Sequence, residues 1–85
     1  MNYIQVGKIS HYFDKIQVGV LAVTEGEVKV GDTIRVGEEG IGFEQTVDSL
    51  QIDHLAVNSI SVGQEAGLKL AQASHEGTIV YKVSE

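Results

Sequence analysis

Glycine punctuates this chain and proline never does: ten glycines divide 85 residues into short runs rich in Val, Ile, Tyr and Thr. β-Branched and aromatic side chains suit a pleated, half-buried surface, and glycine supplies the backbone angles of tight turns, so the pattern dictates strands joined by turns. No segment sustains the period of a helix. Six strands are expected, at residues 2–13, 16–24, 32–37, 42–53, 65–71 and 78–83. Every second residue is apolar at Ile16, Val18, Val20 and Ala22, at Ala66, Leu68 and Leu70, and at Ile79, Tyr81 and Val83. Those faces are expected to line the core.

Two of the strands change phase. Ile4 and Val6 share one face while Ile9 and Phe13 fall on the other, so a β-bulge is expected near Gly7. Phe43 and Val47 are likewise out of phase with Leu50 and Ile52. Long, kinked strands turn the face of a sheet and point to a barrel rather than a flat sheet. At this length one domain covers residues 1–85, with a core near the lower limit of what is sufficient.

Composition narrows the function classes. Cysteine is absent, which removes disulfides and thiolate metal sites and agrees with a reducing, cytoplasmic location. The opening MNYIQVGKIS has neither a basic leader nor a long apolar stretch, and the longest apolar run, Val20 to Val23, falls far short of the roughly 20 residues that cross a bilayer. A soluble protein without a membrane partner is expected. The formal charge is −6, and the six cations, Lys8, Lys15, Lys29, Arg35, Lys69 and Lys82, are scattered singly. General DNA or RNA binding needs clustered cations and is not expected, although a local RNA contact is compatible with this balance. No sequence pattern sets the oligomeric state.

The stretch GEVKVGDTIRV, residues 26–36, tests for phosphate chemistry. A P-loop runs from a strand into a helix, with backbone N–H groups facing the anion. Here Gly31 is followed by Asp32, whose carboxylate repels phosphate, and then by a strand. Gly31 is expected to supply a permissive turn angle and Asp32 to cap the corner.

This stretch belongs to an ordered series. Gly26-Glu27-Val28-Lys29-Val30-Gly31-Asp32, then Val47-Asp48-Ser49-Leu50-Gln51, then Val62-Gly63-Gln64-Glu65-Ala66-Gly67-Leu68, and last Glu76-Gly77-Thr78-Ile79-Val80, resembles the second, β-barrel domain of translational GTPases of the elongation factor Tu type. The resemblance implies an all-β fold, a closed six-stranded antiparallel β-barrel. It implies a binding or docking module without enzymatic activity, lacking the GTPase domain and contacting a protein or ribonucleoprotein partner. The Arg-Gly turn that such barrels carry between their first two strands is replaced by Asp14-Lys15. The segment His11 to Lys15 is more similar to small stand-alone barrels and to barrels appended to collagenase-like peptidases. The alternative function is therefore an accessory or small-molecule-binding barrel acting with a separately encoded GTPase or collagenase-like peptidase.

No catalytic residue, cofactor site or metal site is expected. His11, His54 and His75 are the neutral nitrogen ligands, and zinc needs three or four ligands converging. Asp53 and His54 are adjacent, so on a strand they would face opposite ways. Ser10, Ser49, His11, His54, Asp14 and Asp48 supply the residue types of a Ser-His-Asp set, but no nucleophile-elbow signature accompanies them. Glu38 and Glu39, between Gly37 and Gly40, read as a solvated acidic loop rather than an acid/base pair. The candidate partner-binding residues are His11, Tyr12, Phe13 and Lys15, where aromatic groups lie beside a cation at a tight connection. In one arrangement Phe13 turns into the core and Tyr12 lies outside; in the other the pair forms an exposed tip.

Overall fold

The computed structural model describes residues 2–38 and 42–84. The strands are β1 (Asn2–Phe13), β2 (Val18–Val23), β3 (Glu27–Lys29), β4 (Thr33–Val36), β5 (Phe43–Thr46), β6 (Leu50–Ile52), β7 (Leu55–Val57), β8 (Ser59–Ser61), β9 (Glu65–Lys69) and β10 (Ile79–Ser84). Eight of them form one antiparallel sheet in the order β5-β4-β10-β1-β2-β9-β6-β7, and β3 pairs with β8 in a separate ribbon. The sheet curls around an aliphatic core in which Ile9, Leu21, Ile34, Leu50, Ile60 and Leu70 are the largest fully buried side chains. No polar or charged side chain is buried in that core among the described residues.

The all-β antiparallel reading holds, but the closed six-stranded barrel does not: the sheet is an open curl with β5 and β7 at its two ends. The segment expected as one strand over 42–53 is divided into β5 and β6. Past β5, Val47 donates its N–H to the Asp32 carbonyl and accepts from Gly31 N–H, both at 2.8 Å, so the chain stays tied to the β4 side for one more residue before it leaves for β6. The three-residue strands β3, β7 and β8 are too short to show alternation and escaped the sequence reading.

β1 carries the bulge expected near Gly7, where its register against β10 shifts between Gln5 and Gly7. A second shift, between Ile9 and His11 against β2, had no sequence signal. The inner faces of β2 and β10 are also the reverse of expectation. Leu21, Val23 and Val80 are buried, whereas Val18, Val20, Ala22, Ile79, Tyr81 and Val83 are half-buried and Ile16 is exposed. β2 is apolar on both faces, and its inner row begins with Gly19, which carries no side chain to mark the parity. A Cβ at Gly19 would come within 2.7 Å of Leu70 Cδ1, so glycine leaves room there for a core leucine.

The corner at Gly31 and Asp32 is as read, and it recurs. Lys29-Val30-Gly31-Asp32 closes with Asp32 N–H donating to the Lys29 carbonyl at 3.0 Å, while Asp32 Oδ2 accepts from Lys29 N–H at 2.9 Å. Ser61-Val62-Gly63-Gln64 repeats both bonds, at 3.0 Å to the Ser61 carbonyl and 2.8 Å to Gln64 Oε1. Each turn then captures a buried valine. Gly31 and Asp32 hold Val47, while Gly63 donates to the Val23 carbonyl and Gln64 accepts from Val23 N–H, each at 3.1 Å. The antiparallel ribbon pairs Val28 with Ile60 between the turns. β4 against β5 thus corresponds to β9 against β2, and the chain contains an internal two-fold relation. Its asymmetry lies in the links: Thr24–Gly26 joins β2 to β3, whereas residues 48–58, carrying the β6–β7 hairpin, lead from Val47 to β8.

Two glycines separate two kinds of constraint. Gly31 has φ 99° with open space where a Cβ would stand, so Gly31→Ala should destabilise by about 1–2 kcal/mol through backbone angle alone. At Gly7 a Cβ would collide with the Ala22 carbonyl oxygen, so Gly7→Ala should cost about 3 kcal/mol or more. Urea unfolding midpoints test the ranking; equal losses would show that β1 yields to the intrusion.

Candidate functional site

The residues singled out in the sequence lie at the tip of the β1–β2 hairpin. Residues 14–17 form its turn, with Ile16 N–H donating to the Phe13 carbonyl at 3.3 Å and Gln17 in the left-handed region at φ 56°. The Gln17 carbonyl accepts from Leu70 N–H at 2.9 Å, which pins the tip to the end of β9. Neither expected arrangement of the aromatic pair occurs. Tyr12 packs against the core and Phe13 is 51% exposed, because the second shift in β1 places Tyr12 opposite buried Gly19 and Phe13 opposite Val18. Ile16, 60% exposed, joins Phe13 at the tip, so the surface is more aliphatic than the sequence reading proposed. An open hollow of about 450 Å³ is lined by Tyr12, Phe13, Asp14, Lys15 and Ile16. His11 stands beside it, with Nδ1 3.8 Å from Glu76 Oε2 and its ring centroid 6.4 Å from that of Phe13.

The other candidates disperse. Asp53 and His54 are not on a strand; with φ 50° and 66° they form the tight turn of the β6–β7 hairpin. Among the described residues, no group of three or more His, Asp or Glu side chains is close enough to hold a metal ion. Ser10 Oγ is directed to the Val20 carbonyl at 3.4 Å. Glu38 is exposed, while Glu39 and Gly40 of the acidic loop lie outside the described residues. A cleft of about 260 Å³ lies between Val36–Glu38, Phe43 and the segment from Gln72 to Ile79, with Glu38 and His75 as its titratable lining residues.

At the opposite end of β1 are exposed apolar side chains the sequence reading missed, Tyr3 on one face of the sheet and Ile4 on the other. Tyr3 is 41% exposed and Ile4 57% exposed, and Val30, 42% exposed, lies on the turn entering β4. Tyr3 is held from two sides: its hydroxyl donates to Glu44 Oε2 at 2.9 Å and the Arg35 guanidinium lies 5.7 Å from its ring centroid. Arg35 also reaches Glu44 Oε2 at 3.3 Å and the Glu38 carbonyl at 3.0 Å. Lys82 Nζ is 3.3 Å from Asp32 Oδ2. Arg35 and Glu44 face each other across β4 and β5, a pairing visible only once the register is known.

Across the open seam, Gln45 performs the task of a missing strand. Its parity places it between Phe43 and buried Val47. Its side-chain Nε2 donates to the Lys69 carbonyl at 2.8 Å and its Oε1 accepts from Ala71 N–H at 2.7 Å. One amide thereby supplies the donor and acceptor that a neighbouring backbone would offer. A groove of about 450 Å³ flanks it, lined by Thr46, Asp48 and Ser49 on one side and Lys69, Leu70 and Ala71 on the other, with Gln17 beside them.

Comparison with known proteins gives a consistent direction. No family model matches the chain. It is 31% identical over 83 residues to an uncharacterised protease of Methanocaldococcus jannaschii. That alignment covers 96% of this chain and spans about a fifth, 20%, of the protease. The structure superposes on the C-terminal domain of a U32 peptidase from Geobacillus thermoleovorans with a TM-score of 0.83 at 12% identity, covering 93% of this chain and 91% of that domain. The selenomethionine variant of the same domain gives 0.77 at 12% identity, over 94% and 98%. These likenesses overturn the elongation-factor resemblance and the translational docking role drawn from it. The motifs that carried it, Val30-Gly31-Asp32 and Val62-Gly63-Gln64, are corner turns of the curl, and corner turns report a fold rather than a partner.

The Gln45 bridge can be tested directly. Gln45→Ala leaves the Lys69 carbonyl and the Ala71 N–H without their side-chain partner and should destabilise by about 1–3 kcal/mol. Faster hydrogen exchange at the Ala71 amide, with the Val23 amide unchanged, is the expected local signature.

Proposed function

We propose that this chain is a non-catalytic accessory domain that works beside the catalytic region of a U32-type, collagenase-like peptidase. The observation that carries this reading is one of proportion. Nearly all of this chain corresponds to a fifth of a protease, and its fold is that of a C-terminal domain studied apart from the rest of its peptidase. A unit of that size adds surface to an enzyme. Exposed apolar side chains at the two ends of β1 offer contact surface for such a role.

The reading predicts association in trans. The 85-residue chain, mixed with a U32 catalytic region from the same genome that lacks its own C-terminal domain, should co-elute with it in size-exclusion chromatography. The chain alone should not hydrolyse casein or gelatin. Independent elution at concentrations of about 100 μM, where even weak contacts are populated, would defeat the accessory role.

A further inference from the structure

We propose that the open seam between β5 and the end of β9 takes up an extended peptide segment, which displaces the Gln45 amide and pairs with both strand edges. A peptide-like group of the chain's own already occupies this place. Gln45 Nε2 donates to the Lys69 carbonyl at 2.8 Å and Oε1 accepts from Ala71 N–H at 2.7 Å. A carbonyl and an N–H two residues apart on one edge are what a single residue of a parallel neighbour bonds, through its own N–H and carbonyl. The side-chain amide therefore holds the place of one backbone residue.

The facing edge offers matching groups. Val47 turns its N–H and carbonyl toward the β4 side, and these groups alternate along an antiparallel strand, so Glu44 and Thr46 turn theirs away from β4. β5 is the end strand of the sheet, so no ladder meets that edge. Leu70 donates to the Gln17 carbonyl on the β2 side, and by the same alternation Lys69 and Ala71 face the seam. Every step from β5 through β4, β10, β1 and β2 to β9 is antiparallel, which sets β9 antiparallel to β5. A strand that enters parallel to β9 thus runs antiparallel to β5, and one segment can pair with both edges.

Space and charge select the occupant further. The groove of about 450 Å³ shares Ser49 and Lys69 with a second hollow of about 220 Å³ that reaches Val18 and Gln51, so the depression follows the end of β9. A cleft of this size is in the range that holds ligands. Its two sides carry one charge each, Asp48 past β5 and Lys69 on β9, and neither has an ion pair among the described residues. The complementary segment carries a base and an acid rather than a block of one sign. Strand addition draws its affinity from the main chain and its selectivity from such side-chain contacts. This inference goes beyond the accessory-domain reading and does not rest on it.

Heteronuclear NMR titration of the full chain with acetyl-Thr-Lys-Val-Thr-Val-Glu-Thr-amide tests the seam. The unaltered chain should bind with a Kd of about 1 mM, its largest shifts at the Thr46 and Ala71 amides. Gln45→Ala and Gln45→Asn remove or shorten the internal competitor and should bind about threefold to tenfold more tightly. In Gln45→Ala the peptide should also slow hydrogen exchange at the Ala71 amide. Two peptide analogues, N-methylated at alternate residues in opposite phases, each lose the donors to one edge and should bind Gln45→Ala about fivefold or more weakly. If one phase alone weakens binding, the segment adds to a single edge and insertion between two is overturned. Analogues that bind as well as the parent would show that the backbone is not read, and weaker binding by both Gln45 variants would make Gln45 a contact rather than a stopper. Either result overturns the proposal, as do shifts confined to Leu55–Val57, the other end strand, or no shift at about 5 mM peptide. The accessory role stands in each case, because co-elution tests it separately.

Discussion

Two backbone captures organise this molecule. Each Val-Gly turn offers an N–H and a carbonyl to a buried valine, Val47 at Gly31 and Asp32, Val23 at Gly63 and Gln64. A buried peptide group must be hydrogen-bonded, so these bonds satisfy the chain where it leaves one sheet direction for another. At Val47 the bonds carry the pairing of β5 with the β4 side one step past Thr46, to the corner itself. At Val23 they tie the last residue of β2, which also pairs with Gly7, to the second corner.

The sequence made the fold class legible through glycine spacing, and the first bulge legible through the conflict between Val6 and Ile9. It misled where a strand is apolar on both faces. In β2 the parity of Val18, Val20 and Ala22 competes with that of Leu21 and Val23, and Gly19 carries no vote. The same blindness hid the second shift in β1, where no glycine marks the extra residue, and so inverted Tyr12 and Phe13. Lys82 shows the opposite failure. It sits on the inner parity of β10 opposite Ile34, yet reaches Asp32 at the rim with its charged end.

Function was less legible than fold for a physical reason. The motifs of strongest sequence signal are those with the strictest backbone demands, and Gly31 and Gly63 meet such demands at corners any comparable curl must turn. Residues that form an exposed face are under no such restriction. Tyr3, Arg35 and Glu44 are far apart in sequence and come together only through the register of β1, β10, β4 and β5. The likeness to U32 peptidase C-terminal domains was available only as a minor note, in the segment from His11 to Lys15.

In a closed barrel the circumference is quantised by strand number and stagger. Here the last gap is spanned by Gln45, whose amide meets Lys69 and Ala71 from β5. The seam of the curl is therefore joined by one side-chain amide, a link whose length is counted in methylenes rather than in whole strands.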